Sequence, residues 1–312
     1  MSVVRIGRTI WHLLKRTISE AGEDKIPRLA ASLSYYTVLS LSPLVAVAIA
    51  IAGFAFGREA AEGQIAQQLQ SVLGAQASEA IQTIVSHAHR TGTGVLSAVV
   101  GGVVLVIGAS GVFGELQDSL NTIWEVAPQP NRGFKGMVKD RFFSFTMVLG
   151  VAFLLLVSLV ISAALSAVGQ WFSGAFAGSE AVWHVINIVV SLAVIAALFA
   201  LLFKIVPDVT IAWKDVWIGA AVTAVLFVLG KFLIGLYVGK AAVASPFGAA
   251  GSLMVIVVWV YYSAHILFLG AEFTQIYARE CGSKIVPARG AVPLTEQARA
   301  AQGIPHHESV HP

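Results

Sequence analysis

Apolar residues in this chain come in long unbroken runs, not in the short periodic stripes of a water-soluble protein. Five stretches without Lys, Arg, Asp or Glu cover 29–57, 91–114, 142–179, 181–203 and 241–271. A sixth apolar stretch, 213–238, holds only Lys214, Asp215 and Lys231. Each is longer than the roughly 20 residues a helix needs to cross a bilayer. The pattern predicts six membrane-spanning helices at about 29–56, 94–114, 142–168, 183–205, 213–238 and 252–278. Pro207 stops the fourth, and Trp213 and Trp217 are suited to anchor the start of the fifth at an interface. The segment Ser245-Pro-Phe-Gly-Ala-Ala-Gly251 breaks the helix before the sixth.

Shorter amphipathic patterns flank the spans. Val3, Ile6, Ile10, Leu13, Leu14 and Thr17 fall at helical spacing, with Arg5, Arg8, His12, Lys15 and Arg16 on much of the remaining surface. This reads as a basic helix lying on an anionic membrane surface, or as a cytosolic helix packed on the bundle. In the loop 57–93, Ile65, Leu69, Val72 and Leu73, then Ile81, Ile84, Val85 and Ala88, predict two short helices around Gly74. The expected fold is therefore all-α, a polytopic membrane protein of about six transmembrane helices with short amphipathic helices in the N-terminus and first outer loop. Residues 1–28 form the basic helix and its connector. Residues 29–280 form the membrane domain, with 57–93 inserted. Residues 281–312, rich in Ala, Gly, Pro and His, read as a disordered tail.

Composition agrees with this division. The chain is 57% hydrophobic and only 12% charged, against about 25% charged in a soluble domain. The first twenty residues lack the apolar core and small-residue cleavage site of a secretory signal, so none is expected. The single cysteine, Cys281, forms no internal disulfide. The pI of 9.0 would suit a nucleic-acid binder, but the placement of the cations gives another account. With the N-terminus inside, inner segments hold sixteen Lys and Arg. Outer ones hold Arg58, Arg90 and Lys240, and Lys231 within a span completes the twenty. That bias orients both termini to the cytoplasm and calls for an even number of spans. No nucleic acid is needed to explain it.

The first span has an unusual polar half. Ser32, Ser34, Tyr35, Tyr36, Thr37, Ser40 and Ser42 crowd its beginning. Ser32, Tyr36 and Ser40, four residues apart, share one helix face. Pro43 withholds the N–H that the Leu39 carbonyl would accept. Such a face belongs against other helices or a wet cavity, not lipid, and the bundle is expected to be built around it. Gly94, Gly101 and Gly108 recur every seven residues in the second span, which suits helix contact within this chain or between copies in a homo-oligomer.

Ionisable residues within spans are the candidate functional groups. Lys231 lies roughly 22 Å into its span at 1.5 Å per residue, in the outer third of a hydrocarbon core about 30 Å thick. It either meets an anionic group in a cavity or snorkels to the headgroups. Glu272 and Glu115 sit at the inner ends of the sixth and second spans, level with Ser32–Tyr36, where Arg28 would join them. His265 is nearer mid-membrane, beside Trp259, Tyr261 and Tyr262. His87 and His89 have a spacing found in some metal sites but lack further ligands. No phosphate-binding loop, dinucleotide loop or C-x-x-C pair occurs, and neither a metal nor a cofactor is expected.

Ala31-Ser-Leu-Ser-Tyr-Tyr36, Leu39-Ser-Leu-Ser-Pro43, Leu120-Asn-Thr-Ile-Trp124, Lys231 with Tyr237, Phe247-Gly-Ala249, Trp259-Val-Tyr261 and Gly270-Ala-Glu272 follow one another in an order that resembles the YihY/BrkB family of bacterial inner-membrane proteins. The resemblance covers about residues 25–280. One departure is Phe247, where the family often has Tyr, so no hydroxyl role carries over there. The resemblance implies a multi-pass protein of the bacterial inner membrane with a link to envelope lipids. It adds Asn121 and Tyr237 to the candidates.

Three functions follow as expectations. The first is a transporter or translocator of a lipid or other amphipathic anion. Ser32, Tyr35, Tyr36, Ser40 and Pro43 would line the path, Lys231 would meet the anion, and Glu115 and Glu272 would gate its inner end. The second is a non-transporting scaffold for envelope assembly, with envelope proteins as partners. The third, a membrane-bound ribonuclease, follows only from the label ribonuclease BN that the family often carries. RNA cleavage needs acid–base groups or metals within reach of a phosphodiester, and no cytosolic cluster in this sequence supplies them. The chain is therefore not expected to be an enzyme.

Overall fold

A helix that is apolar on every side needs lipid or other helices around it, and the three longest of the described helices are of that kind. The structure, a computed structural model, describes residues 3–40, 108, 111–129, 180–240, 249–283 and 285–304. Its elements are α1 (Val3–Glu23), α2 (26–40), α3 (111–123), β1 (Val126–Pro128), α4 (Glu180–Ile205), β2 (Val209–Thr210), α5 (Trp213–Lys240), α6 (Ala249–Glu280), β3 (Val286–Pro287), β4 (Ala291–Pro293) and α7 (Glu296–Ala301). Three stretches in α4, α5 and α6, Ile188–Ile205, Trp213–Ile234 and Ile256–Glu280, are long and apolar enough to cross a membrane. They coincide with the expected fourth, fifth and sixth spans. Their outward side chains are large and apolar, among them Val185, Ile188 and Val189 on α4 and Val225, Leu226, Phe232 and Leu233 on α5. Such surface suits lipid better than water. The expected third span and the loop 57–93 lie outside the described residues, as does Pro43.

The chain divides into two units, with boundaries falling at the start of α2 and inside α3, α5 and α6. The first holds residues 1–26, 117–228 and 267–312, and the second holds 27–116 and 229–266. Ile26, Leu120, Ile123, Trp124, Phe203, Val216, Phe268 and Ile276 form the closed core of the first unit. Within it, α5 and α6 touch through a reciprocal pair: Gly219 of α5 faces Thr274 of α6, and Gly270 of α6 faces Thr223 of α5. Each threonine hydroxyl turns back on its own helix, Thr223 to the Gly219 carbonyl at 2.7 Å and Thr274 to the Gly270 carbonyl at 2.6 Å. Small residues and self-satisfied hydroxyls are what let two membrane helices approach closely.

The segments joining the helices are also tied down. Pro207 ends α4 by lacking a donor. The adjoining Asp208 takes a hydrogen bond from Asn121 Nδ2 at 3.1 Å, and its backbone N–H donates to Asn121 Oδ1 at 2.8 Å. Asp215, in the first turn of α5 where an acid favours a helix, accepts the Ser283 N–H at 2.8 Å. Residues 285–304 do not behave as the disordered tail the composition suggested. Their β3 pairs antiparallel with β2, Val209 opposite Pro287, and β4 pairs antiparallel with β1, Val126 opposite Pro293. The short apolar runs Ile285-Val286-Pro287 and Ala291-Val-Pro293 find ready edges there, which composition does not reveal. Thr295 then caps α7 by accepting the Ala298 N–H at 3.2 Å.

In the second unit, the polar face of α2 packs on another helix. Ser40 is buried under Gly108, and the Tyr36 ring lies against Gly111. A Cβ at Gly108 would stand 2.9 Å from the Ser40 hydroxyl, so this glycine allows the close approach. Ser34 and Thr37 bond carbonyls of their own helix at 2.9 and 2.7 Å. Gly230 of α5 has Tyr262 and Ile266 of α6 against it.

Candidate functional site

The first unit encloses charged side chains whose sequence positions are far apart. Four segments deliver them. The protein-facing line of α1 runs Leu13, Thr17 and Glu20, and Asp24 continues it in the following turn; all four are buried. The end of α3 delivers Glu125, and α6 delivers Glu272, Gln275 and Arg279 at helical spacing on one side. The tail then inserts Arg299 from α7.

Arg299, only 4% exposed, bridges two of these segments. Its Nη1 donates to Glu125 Oε1 at 3.0 Å and its Nη2 to Asp24 Oδ1 at 3.3 Å. Arg279 also pairs with Glu125. Arg16 donates to Glu20 and to Glu280, each at 2.7 Å. Two turns beside the cluster use left-handed backbone at residues other than glycine, Lys25 with φ 55° and Glu125 with φ 53°. This conformation is costly for residues with a Cβ. At Glu125 it closes α3 while the carboxylate reaches both arginines, a task glycine could not perform.

Glu272 is the most enclosed member. It has no solvent exposure, and neither carboxylate oxygen has a hydrogen-bond partner among the described residues. The charges acting on it are those of Asp24, Glu20, Arg279 and Glu125. Gln275 Oε1, Trp124 Nε1 and Ser119 Oγ of the same unit are likewise buried and unpartnered among the described residues. Native proteins leave few such groups, and one membrane-capable helix here carries two.

Burial pushes the Asp24 carboxyl up to about 7. Arg299 opposes that rise, while the charges of Glu125, Glu20 and Glu23 add to it. In the unfolded chain the group titrates near 3.9. The folded state therefore holds a proton that the unfolded state releases, and stability from this site is lost as pH rises from about 4 through 7. Asp24→Asn should gain on wild type across that window, by on the order of 1 kcal/mol per pH unit between pH 5 and 7. Thermal unfolding of both proteins in detergent at pH 5 and 8 checks this. An equal difference at the two pH values would contradict it.

The residues expected from sequence are distributed as follows. Glu272 meets Asp24, Glu20 and Glu125, whereas Glu115, Arg28 and Ser32–Tyr36 belong to the second unit. Ser40 and Tyr36 make helix contacts, Ser32 is half-buried, and Tyr35 is exposed with its ring 5.7 Å from that of Tyr36. His265 is half-buried, its ring 5.8 Å from Tyr261. Lys231 is exposed on α5, next to exposed Phe232 and Leu233. Asn121 is buried and holds Asp208. The side chain of Tyr237 lies outside the described residues. Sequence reasoning missed Glu20, Asp24, Glu125, Arg279 and Arg299. A signal existed for the first two, because they extend the apolar line of α1 where solvated acids would not. Among the described residues no group of three or more His, Cys, Asp or Glu is placed to hold a metal ion.

The family described as virulence factor BrkB matches this chain over residues 17–294. A UPF0761 membrane protein of Ralstonia nicotianae is 29% identical over 264 residues, which are 83% of this chain and 57% of that protein. A UPF0761 membrane protein of Tolumonas auensis is 26% identical over 283 residues, 86% of this chain and 82% of its own length. One from Albidiferax ferrireducens is 29% identical over 273 residues, 84% of this chain and 61% of its own length. The chain thus spans less than two thirds of the Ralstonia and Albidiferax proteins. No solved structure matches it.

Proposed function

The chain belongs to the BrkB family of membrane proteins, and from that premise we propose that it translocates a lipid or another amphipathic anion across the bacterial inner membrane, with Glu272 at the gate. The observation that carries this reading is the Glu272 carboxylate, fully buried in a membrane-capable helix with neither oxygen hydrogen-bonded among the described residues. A carboxylate serving only to hold helices together would be paired and bonded on both oxygens, because desolvating it otherwise costs several kcal/mol. Ionisable groups retained in spans mark substrate or ion pathways. A second arrangement of α6, in which Glu272 gains donors, would account for its retention.

The orientation fits. Among the described residues, Arg8, Lys15, Arg16, Lys25, Lys204, Lys214, Arg279, Arg289 and Arg299 of those cation-rich segments all belong to the first unit, and Arg28 to the second. On the positive-inside rule this bias supports a cytoplasmic position for those residues, with Glu272 near the inner end of its span. Lys231, exposed among apolar side chains of α5, is available to an anionic headgroup whose chains remain in lipid.

The experiment is translocation in proteoliposomes carrying a fluorescent phospholipid, with quencher added outside. Wild type should expose inner-leaflet label to the quencher. Glu272→Gln, nearly isosteric, should slow this at least tenfold while the protein stays folded, and Lys231→Ala should slow it less. Wild type no faster than empty vesicles would remove lipid translocation and move weight to the scaffold reading.

A further inference from the structure

The exposed side of α1 is the strongest feature that the cluster leaves unused. Three lines of side chains run along this helix, each with spacing of four, three and four. The line Leu13, Thr17, Glu20 and Asp24 is buried in the first unit. The line Arg8, His12, Lys15 and Ser19 is exposed and polar, and Arg5 precedes it in sequence at the same spacing. The line Gly7, Trp11, Leu14 and Ile18 is exposed and, beyond the glycine, large and apolar, with Trp11 and Ile18 each 71% exposed. Ile10, also exposed, stands beside it.

A helix packed on a protein in water turns polar residues out on the sides it does not bury, but α1 leaves an apolar line exposed beside its buried one. That exposed line needs an apolar medium. The position of α1 names that medium. Glu280, the last residue of α6, accepts a hydrogen bond from Arg16 at 2.7 Å and lies 3.3 Å from His12 Nδ1. α1 is thereby held where a membrane-capable helix ends, at the depth of the headgroups. There an apolar line beside a basic one suits a helix in the interfacial plane, with Trp at the boundary.

We propose that α1 binds a leaflet of anionic lipid, with Trp11, Leu14 and Ile18 in the acyl boundary and Arg8 and Lys15 against the phosphates. This does not rest on the translocation reading. A transporter and a scaffold would both carry the helix.

The test uses the full chain with Cys281→Ser, which removes the sole cysteine, and single cysteines placed at Trp11, Lys15, Ile18 or Ser19. All four positions are exposed, so no core side chain is lost. Each is spin-labelled in nanodiscs of phosphatidylglycerol and phosphatidylcholine in equal parts, and in phosphatidylcholine alone. Labels at 11 and 18 should relax more with oxygen, and labels at 15 and 19 more with an aqueous nickel chelate. The oxygen preference should weaken without anionic lipid, by about fivefold in partition for each basic residue engaged. Arg8→Glu with Lys15→Glu should abolish the difference between the two discs. Nickel accessibility at 11 and 18 would overturn the proposal. So would labels there that are immobile and shielded from both reagents, because that result assigns the face to a protein surface such as a second copy.

Discussion

Gly219→Leu and Gly270→Leu are each expected to leave no folded protein. The two glycines stand at a close approach of α5 and α6 in the first unit. A Cβ on Gly219 would lie 2.6 Å from Thr274 Cβ and one on Gly270 2.8 Å from Thr223 Cβ, with the threonine hydroxyls nearer still. A Cβ cannot swing aside as the tip of a long side chain can, so the helices themselves must separate. Overpacking a well-packed site costs about 1–3 kcal/mol and occasionally more, and alanine at either position should reach the upper part of that range. Separation would also drag Glu272 and Arg279 away from the charges they face. A swap distinguishes close approach from other causes. Gly219→Ala with Thr274→Gly restores the room at the contact and should recover most of the lost stability, whereas Gly219→Ala with Thr223→Ser leaves the overlap in place and should not. Unfolding midpoints in mild detergent read both outcomes, and a Gly219→Leu protein with a wild-type midpoint would sink the account.

Gly219 does not stand out in the sequence, and Gly270 does so only within the Gly270-Ala-Glu272 motif and not as a helix contact; the reason is physical. The fourth, fifth and sixth spans are recognisable because hydrocarbon demands length and apolarity, and α4, α5 and α6 meet that demand at the expected positions. The heptad of glycines in the second span drew attention by its period. Gly219-x-x-x-Thr223 and Gly270-x-x-x-Thr274 look ordinary alone, and their meaning arises only when two helices place each glycine opposite the other's threonine. The polar face of α2 shows the opposite case. Ser40 and Tyr36 were legible as a face that avoids lipid, and both pack on helical glycines.

The charged cluster was half legible. Glu272 drew notice as an acid within a span. Its neighbours did not, because Asp24, Glu125 and Arg299 sit in connectors and tail where acids and arginines are normally solvated. What brings them in is strand pairing between the tail and the connectors, which depends on register and not on composition. Leu294 N–H bonds the Glu125 carbonyl at 2.8 Å, so the same contact that closes β1 on β4 delivers α7 to the cluster.

That route makes Arg299 the point at which the tail and the cluster stand or fall together. Its guanidinium is buried between Glu125 and Asp24, and Arg299→Met would fill the volume while deleting the charge. Removing one partner from a buried ion pair costs about 3–5 kcal/mol, because the other charge stays desolvated and unpaired. Here two carboxylates lose a partner. Glu125 keeps Arg279, but Asp24 is left with the charges of Glu20, Glu23 and Glu125 and without the attraction that restrained its rise. The loss should therefore depend on pH. Below about pH 6 Asp24 is largely protonated and needs the arginine less, so Arg299→Met should lose less stability at pH 5.5 than at pH 8. Adding Asp24→Asn to Arg299→Met removes the stranded charge and should recover much of the loss, since a neutral pair of similar volume tolerates burial better than a broken ionic one. Thermal unfolding of the single and double variants at both pH values tests both expectations. If Arg299→Met unfolds like wild type at pH 8, the tail is not what holds the cluster.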